Sequence, residues 1–290
     1  MVRIRASLVA LVLCSFAFVA APAKAAAPSP TLDRIKEARA ITLGYRVDSS
    51  PFSFRDRDGR VLGYSVELCA RVATAIQKDL GLAEMRVNWE PLDAANRIAA
   101  VAAGRVDLEC GTTTATLTRM KAVDFSLPIF VDGGSVLVSV KSKLARLADL
   151  KGRRIAVIGG TTTEEAIVRA MNALGGSAIL VPVRDGADGM VQLERGGVDG
   201  YAGDRVVLTA LRQRAARASD YTFIAGDFSY EPYALALGRD DPDFRLAVNR
   251  ALAGIYRSGD IDPIFQRWLG GLGRPGPLLH AMFYLSTLPE

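Results

Sequence analysis

Histidine is nearly missing from this sequence: His280 is the single one in 290 residues, and the three cysteines include no C-x-x-C pair. That scarcity excludes the common zinc patterns, which need clustered cysteine and histidine ligands, and it leaves a Ser-His-Asp triad hard to assemble. No metal site and no cofactor is expected. There is no block of lysine and arginine interleaved with aromatics, so a nucleic-acid partner is not expected either. Long apolar runs are absent beyond the N-terminus. The one run, residues 6–21, is charge-free but shorter than the roughly 20 residues needed to span a bilayer. Arg3 and Arg5 precede it and Ala23-Lys24-Ala25 follows, the layout of a cleaved signal peptide over residues 1–25. Leu11-Val12-Leu13 before Cys14 lacks the small residue of a lipoprotein signal, so no lipid anchor is expected.

What remains has the material of a folded chain. Half of the residues are hydrophobic and 23% are charged, enough for real cores, and the length suggests two domains. Cleavage would remove Arg3, Arg5 and Lys24 from the 36 basic residues, leaving 33 against 31 acidic ones, a net charge of +2. The full-length excess of +5 therefore overstates any attraction to polyanions. Two cysteines would survive, Cys69 and Cys110. An oxidising compartment permits a disulfide between them, and a buried pair of free thiols is the alternative.

Periodicity predicts an α/β chain. Residues 31–39 form a helix with Thr31 as a plausible N-cap, and 41–45 a strand. A helix over 64–80 ends at Gly81, a strand covers 87–92, a helix 94–103 stops at Gly104, and a strand covers 106–110. A second series follows: strand 154–158, helix 163–174, strand 179–183, helix 189–195 and strand 198–202. Both series contain one join, Gly104-Arg105-Val106-Asp107 and Gly196-Gly197-Val198-Asp199. Helices between strands allow parallel strands with crossovers, so two α/β lobes of similar plan are expected. The closing strand 233–237 and helices 243–258 and 261–269 are too few for a third domain. They are expected to return to the first lobe, giving lobe 1 as 31–131 plus 234–290 and lobe 2 as 132–233. Two hinge crossings, near 131–137 and 228–233, would join the lobes and permit closure.

The chemistry concentrates at strand exits. Cys110 leads into Gly111-Thr112-Thr113-Thr114, with Arg119 following. Hydroxyls and free backbone N–H groups suit an anion, and an arginine fork grips a carboxylate through two hydrogen bonds. Threonines serving as an N-cap beside a surface arginine are the plainer alternative. Gly159-Gly160-Thr161-Thr162 stands ahead of a helix in the second series. Thr162 and Glu165 have capping-box spacing, which leaves Thr161 free to face a cleft. Arg46 and Arg97 occupy two further exits and Asp204 another. Ligands of open α/β sheets sit beyond such carboxyl ends.

Several of these segments together resemble the periplasmic solute-binding proteins for polar amino acids, family 3, and within it the glutamate/aspartate-binding members. The resemblance runs from about residue 41 to 283. It is carried by GYRVDSSPFSF (44–54), GYS (63–65), NRI (96–98), DLECGTTT (107–114), FS-P-IFV (125–131), DLKG (149–152), GTT (160–162), RDDP-F (239–244) and IFQRWL (264–269). It implies a two-lobed periplasmic binding protein of type II, monomeric, that captures an acidic amino acid and delivers it to an inner-membrane ABC permease. By the same resemblance Arg119 meets the α-carboxylate, Thr112, Thr114 and Thr161 donate hydrogen bonds, Asp204 receives the ammonium, and Arg46 and Arg97 meet the side-chain carboxylate.

The sequence departs from those members at three points. Gly186 stands where they carry a ligand-touching histidine, Ala94 replaces a serine, and Leu235 replaces the second cysteine of their disulfide. A dehydratase of prephenate or arogenate has the same fold and would need a poised carboxyl group. Glu109 and Glu67 are the candidates, both more simply strand or helix residues facing away from a ligand, so no enzyme activity is expected. A receptor-coupled sensor would have the same binding chemistry as a transporter component.

Overall fold

The computed structural model describes residues 29–290, so the expected signal peptide, 1–25, lies outside the described residues. In chain order the elements are α1 (Pro30–Ala38), β1 (Ala40–Arg46), β2 (Asp48–Ser49), β3 (Ser53–Arg55), β4 (Val61–Leu62), α2 (Tyr64–Asp79), β5 (Arg86–Leu92), α3 (Arg97–Ala102), β6 (Leu108–Glu109) and β7 (Asp124–Asp132). Then come β8 (Gly134–Ser139), β9 (Arg154–Ile158), α4 (Thr162–Ala173), β10 (Ile179–Val183), α5 (Gly186–Glu194), β11 (Gly200–Asp204), α6 (Arg205–Arg214) and β12 (Tyr221–Phe223). The chain closes with β13 (Glu231–Leu237), α7 (Pro242–Ser258), α8 (Ile261–Leu269) and α9 (Pro277–Leu285).

Two five-stranded sheets carry the fold, ordered β5-β1-β6-β13-β7 and β10-β9-β11-β8-β12. In the first, β1 pairs in parallel with β5 and β6, while β13 runs antiparallel to β6 and β7. In the second, β9 pairs in parallel with β10 and β11, while β8 runs antiparallel to β11 and β12. The two sheets thus share one plan, three parallel strands followed by an antiparallel pair. The chain passes from the first to the second between Asp132 and Gly134, and back between Phe223 and Glu231. A small antiparallel hairpin sheet, β2-β3-β4, was not anticipated from periodicity because its strands are too short to carry a repeat.

The repeated Val-Asp join has a physical basis. Gly104 and Gly196 both adopt left-handed backbone, φ +66° and +70°, ending the preceding helix where a side chain would be strained. Asp107 then accepts from the Thr42 N–H at 2.8 Å and donates its own N–H to the Thr42 carbonyl at 2.8 Å. Asp199 does the same with Arg154, at 2.8 and 2.7 Å. Each aspartate ties the third parallel strand to the start of the first.

Packing follows burial. Ile41, Leu43, Leu108, Leu235 and Leu237 of the first sheet form one core with Leu68, Val72 and Ile76 of α2 and Val248 and Leu252 of α7. Val136, Val138, Ile155 and Val157 form the second sheet's core with Ile167 and Met171 of α4. Cys69 on α2 and Cys110 after β6 are joined in a disulfide, with Cα atoms 6.1 Å apart. Cys110 therefore finds a partner on α2, and Leu235 is an ordinary core residue with no exposure. The N-cap of α1 is Ser29, whose hydroxyl accepts from the Leu32 N–H at 3.2 Å, and not Thr31.

Candidate binding site between the sheets

The carboxyl ends of β1, β9 and β11 open onto one cavity of about 550 Å³ of empty space, its mouth included. Arg46, Asp48, Arg97 and Thr112 line it from the first sheet's side, and Ile158, Thr161, Thr162, Thr163, Gly186, Tyr201 and Asp204 from the second. Strand exits converge there because parallel strands all present their carboxyl ends to the same edge. Five of the seven residues expected to bind ligand, Arg46, Arg97, Thr112, Thr161 and Asp204, meet on its wall.

The first wall is rich in donors. Arg46 ends β1 with only 4% of its surface exposed, and Arg97 opens α3 with 3%. The Nε of each is buried without a hydrogen-bond partner. Arg46 donates to Asp48 Oδ1 at 2.9 Å, whereas the Arg97 guanidinium makes no hydrogen bond among the described residues. Burial, and then the positive charge of Arg46, lowers the Arg97 pKa to about 10, with Glu109 and Asp204 pulling the other way. Two buried cations with unfilled donors make a strong demand for an anion.

The opposite wall is rich in acceptors. Asp204 accepts from Thr163 Oγ1 at 3.0 Å and from the Tyr233 hydroxyl at 2.6 Å. Burial raises its pKa, opposed by the Tyr233 hydrogen bond and reinforced by the charge of Glu231. Tyr233 also reaches Asp132 Oδ2 at 3.3 Å. Asp132 is pushed up to about 8 by burial and by Asp204, although Gly133 and Val206 donate backbone N–H bonds to it. A bound ammonium group would relieve this crowding of negative charge.

Two expected residues lie off the cavity wall. Thr114 Oγ1 donates to Glu231 Oε2 at 2.6 Å. Arg119 follows Thr116, whose hydroxyl caps its N–H at 3.1 Å, and donates from one guanidinium nitrogen to the Thr114 carbonyl at 2.9 Å. Burial lowers the Arg119 pKa, and Glu109 and Glu231 act against that.

The second Gly/Thr turn reverses the expected division of labour. Thr161, not Thr162, is the N-cap of α4: it accepts from the Glu164 N–H at 3.2 Å and donates to the Ile158 carbonyl at 2.8 Å. Its only hydroxyl hydrogen is thereby used. Thr162 is free of the cap and donates to Glu231 Oε2 at 2.7 Å. Capping-box spacing could not choose because it occurs twice, at Thr161/Glu164 and at Thr162/Glu165, and the helix uses the earlier pair. The two turns are also not equivalent: Gly111–Thr114 follows β6, the third parallel strand, while Gly159–Thr162 follows β9, the first.

Glu231 is the residue sequence reasoning missed most completely. It is 1% exposed and takes Thr114 and Thr162 on one oxygen and Ser229 Oγ on the other at 2.6 Å. It stands at the return crossing and joins the first sheet's loop to α4. The run SYEPY offers no motif that would have flagged it.

Neither candidate acid lines the cavity. Glu67 is held by Arg267, Trp268 Nε1 at 2.7 Å and Arg71 at 3.3 Å. Glu109 is fully buried with both oxygens unpartnered. A Cβ at Gly111 would overlap its Oε1 and lie 2.8 Å from Arg46 Cγ, so the glycine lets this carboxylate pack beside the arginines. Gly186 opens α5 at the cavity, and a Cβ there would press on Leu211 at 3.1 Å and approach the Asp48 carbonyl at 3.7 Å.

Known proteins resemble the chain in sequence and in fold. An L-glutamate/L-aspartate-binding protein of Pseudomonas aeruginosa is 32% identical over 268 residues, covering 92% of this chain and 88% of that one. The crystal structure of the solute receptor for L-cysteine of Neisseria gonorrhoeae superposes with a TM-score of 0.75 at 25% identity, covering 86% of this chain and 98% of that one. The ancestral amino acid-binding protein AncCDT-1, a precursor of cyclohexadienyl dehydratase, matches with a TM-score of 0.71 at 28% identity, over 82% and 99%. The model for bacterial extracellular solute-binding proteins, family 3, matches residues 41–271. With the two-lobed α/β architecture and the cleft between its sheets, the chain belongs to the bacterial extracellular solute-binding proteins of family 3.

Proposed function

We propose that this protein captures glutamate or aspartate in the cleft between its sheets and delivers it to an inner-membrane ABC permease. The observation that carries this is the pair of buried, under-bonded guanidinium groups of Arg46 and Arg97 facing Asp204 across one cavity. A dicarboxylate with one ammonium group is complementary to that arrangement, and the similarity to a glutamate/aspartate-binding protein supports it. Arg46 and Arg97 meet the distal carboxylate, Thr112 donates to the ligand, and Asp204 takes the ammonium. Arg119 retains guanidinium N–H groups with no partner among the described residues and turns them to the α-carboxylate as the cleft fills.

The lobes are 31–131 with 234–290, and 132–233, moving about the two crossings. The mature protein works as a periplasmic monomer after loss of 1–25. Each hydrogen bond to a charged group contributes about 1.5–3 kcal/mol, and micromolar binding requires only about 8 kcal/mol net, so this donor set suffices after ordering costs. Ligand groups drawn from both lobes favour the closed form, which the permease would recognise. Its role is binding, and neither carboxyl group weighed as an acid, Glu67 or Glu109, lines the cavity.

Calorimetry with glutamate and aspartate tests the proposal. Arg119→Ala is expected to abolish binding of every amino acid, and Arg97→Ala to weaken acidic ligands about 100-fold while sparing neutral ones. Wild-type affinity for glutamate in both variants would remove the assignment. Conversion of prephenate to phenylpyruvate by the purified protein would replace it with the dehydratase activity.

A further inference from the structure

We infer that Asp48 is a specificity-determining residue that opens this cleft to ligands ending in a side-chain amide, glutamine and asparagine, beside their acidic counterparts. The inference rests on the amino-acid-binding reading of the cleft and concerns its distal end.

A carboxylate can only accept hydrogen bonds, so a pocket built solely for glutamate needs donors alone around the distal group. An amide needs a donor for its oxygen and an acceptor for its NH₂. The cavity wall holds both beside each other. Arg46 and Arg97 supply the donors, and Asp48 stands on the same wall, two residues after Arg46. Its Oδ1 accepts from Arg46 at 2.9 Å and lies 3.4 Å from Ser49 Oγ. Its Oδ2 takes no hydrogen bond among the described residues, and its side chain keeps 17% exposure at the cavity.

The pair therefore presents one guanidinium face and one free carboxylate oxygen side by side, the complement of a primary amide. The same oxygen repels a distal carboxylate and neutralises part of the charge of Arg46, which lowers the preference for acids. Gly186 leaves the space opposite Asp48 clear, since any side chain there would grow toward the Asp48 backbone.

Isothermal titration calorimetry of the mature wild type, Asp48→Ala and Asp48→Asn with L-glutamate, L-glutamine, L-aspartate and L-asparagine tests this. The wild type should bind each amide within about tenfold of its acid. Asp48→Ala should raise the acid-to-amide preference about tenfold. Asp48→Asn should raise it further, because its carbonyl can keep the Arg46 bond while its NH₂ replaces an acceptor with a donor. A preference that changes less than about twofold in both variants, or moves toward the amides, overturns the inference. So does a wild type that binds the acids and neither amide. Binding of the amides without the acids would instead remove the acidic-ligand proposal and leave the role of Asp48 standing. No binding of any of the four removes both.

Discussion

The half of the molecule built on β1 and the half built on β9 share strand order and the Asp-anchored join, yet they place opposite chemistry at matching exits. After the first parallel strand comes Arg46 in one half and the Thr161–Thr163 turn in the other. After the third comes the Gly111–Thr114 turn in one and Asp204 in the other. A common topology delivers side chains to one cavity, and the residues at the exits then divide it into a donor wall and an acceptor wall. A zwitterion entering such a cleft is oriented by charge before any contact with its side chain is made.

The largest effect that would sharpen this contrast is on pH. Asp132, behind the acceptor wall, is raised from 3.8 to about 8, chiefly by burial. A carboxyl group raised on folding holds its proton more tightly in the folded state. Its contribution is therefore complete below about pH 4 and is lost as the pH climbs through 8, by at most on the order of 5 kcal/mol. Chemical denaturation between pH 4 and 9 should show that decline, and Asp132→Asn should flatten it. The donor wall cannot produce it, because Arg97 titrates near 10.

Next in size is the cross-link, which only one half has. Cys69 and Cys110 enclose a separation of 41 residues, worth about 4 kcal/mol on the chain-entropy account. Residues 132–233 contain no cysteine. Cys69→Ser with Cys110→Ser should lower the melting of the first half alone, splitting a single calorimetric transition into two. One transition shifted as a whole would show the halves unfolding together.

A third comparison separates closure from stability. Glu231→Gln leaves one oxygen for the two threonines and the serine, so ligand affinity should fall about tenfold, read by calorimetry. The smallest effect concerns the cap of α4. Thr161→Ala should cost about 1 kcal/mol of stability through the lost cap, while Thr161→Ser, which keeps the hydroxyl, should leave the melting temperature within a degree or two of wild type. Equal effects in the two would break the assignment of the cap.

Much of the fold was legible in the sequence. The helices and strands of both series follow from apolar periodicity, and the Val-Asp joins were visible as a repeat before their hydrogen bonds were known. Strands β7, β8 and β12, the short hairpin β2–β4, helix α6 and the closing helix α9 were not: strands of two or three residues hold no period, and β8, buried on both faces, does not alternate. In the site, Arg46, Arg97 and Asp204 stood out as charged residues at strand exits. Asp48, Asp132 and Glu231 did not, since each looks like a solvated acid until packing removes its water.

By itself, then, the sequence determined the α/β character and the strand exits where chemistry could gather, both of which depend on local order along the chain. Only the tertiary structure decided which threonine caps α4, which acids are buried, and that Cys110 pairs with Cys69. Those outcomes depend on distances between residues far apart in sequence, and burial changes the energy of a charge more than any neighbour along the chain can.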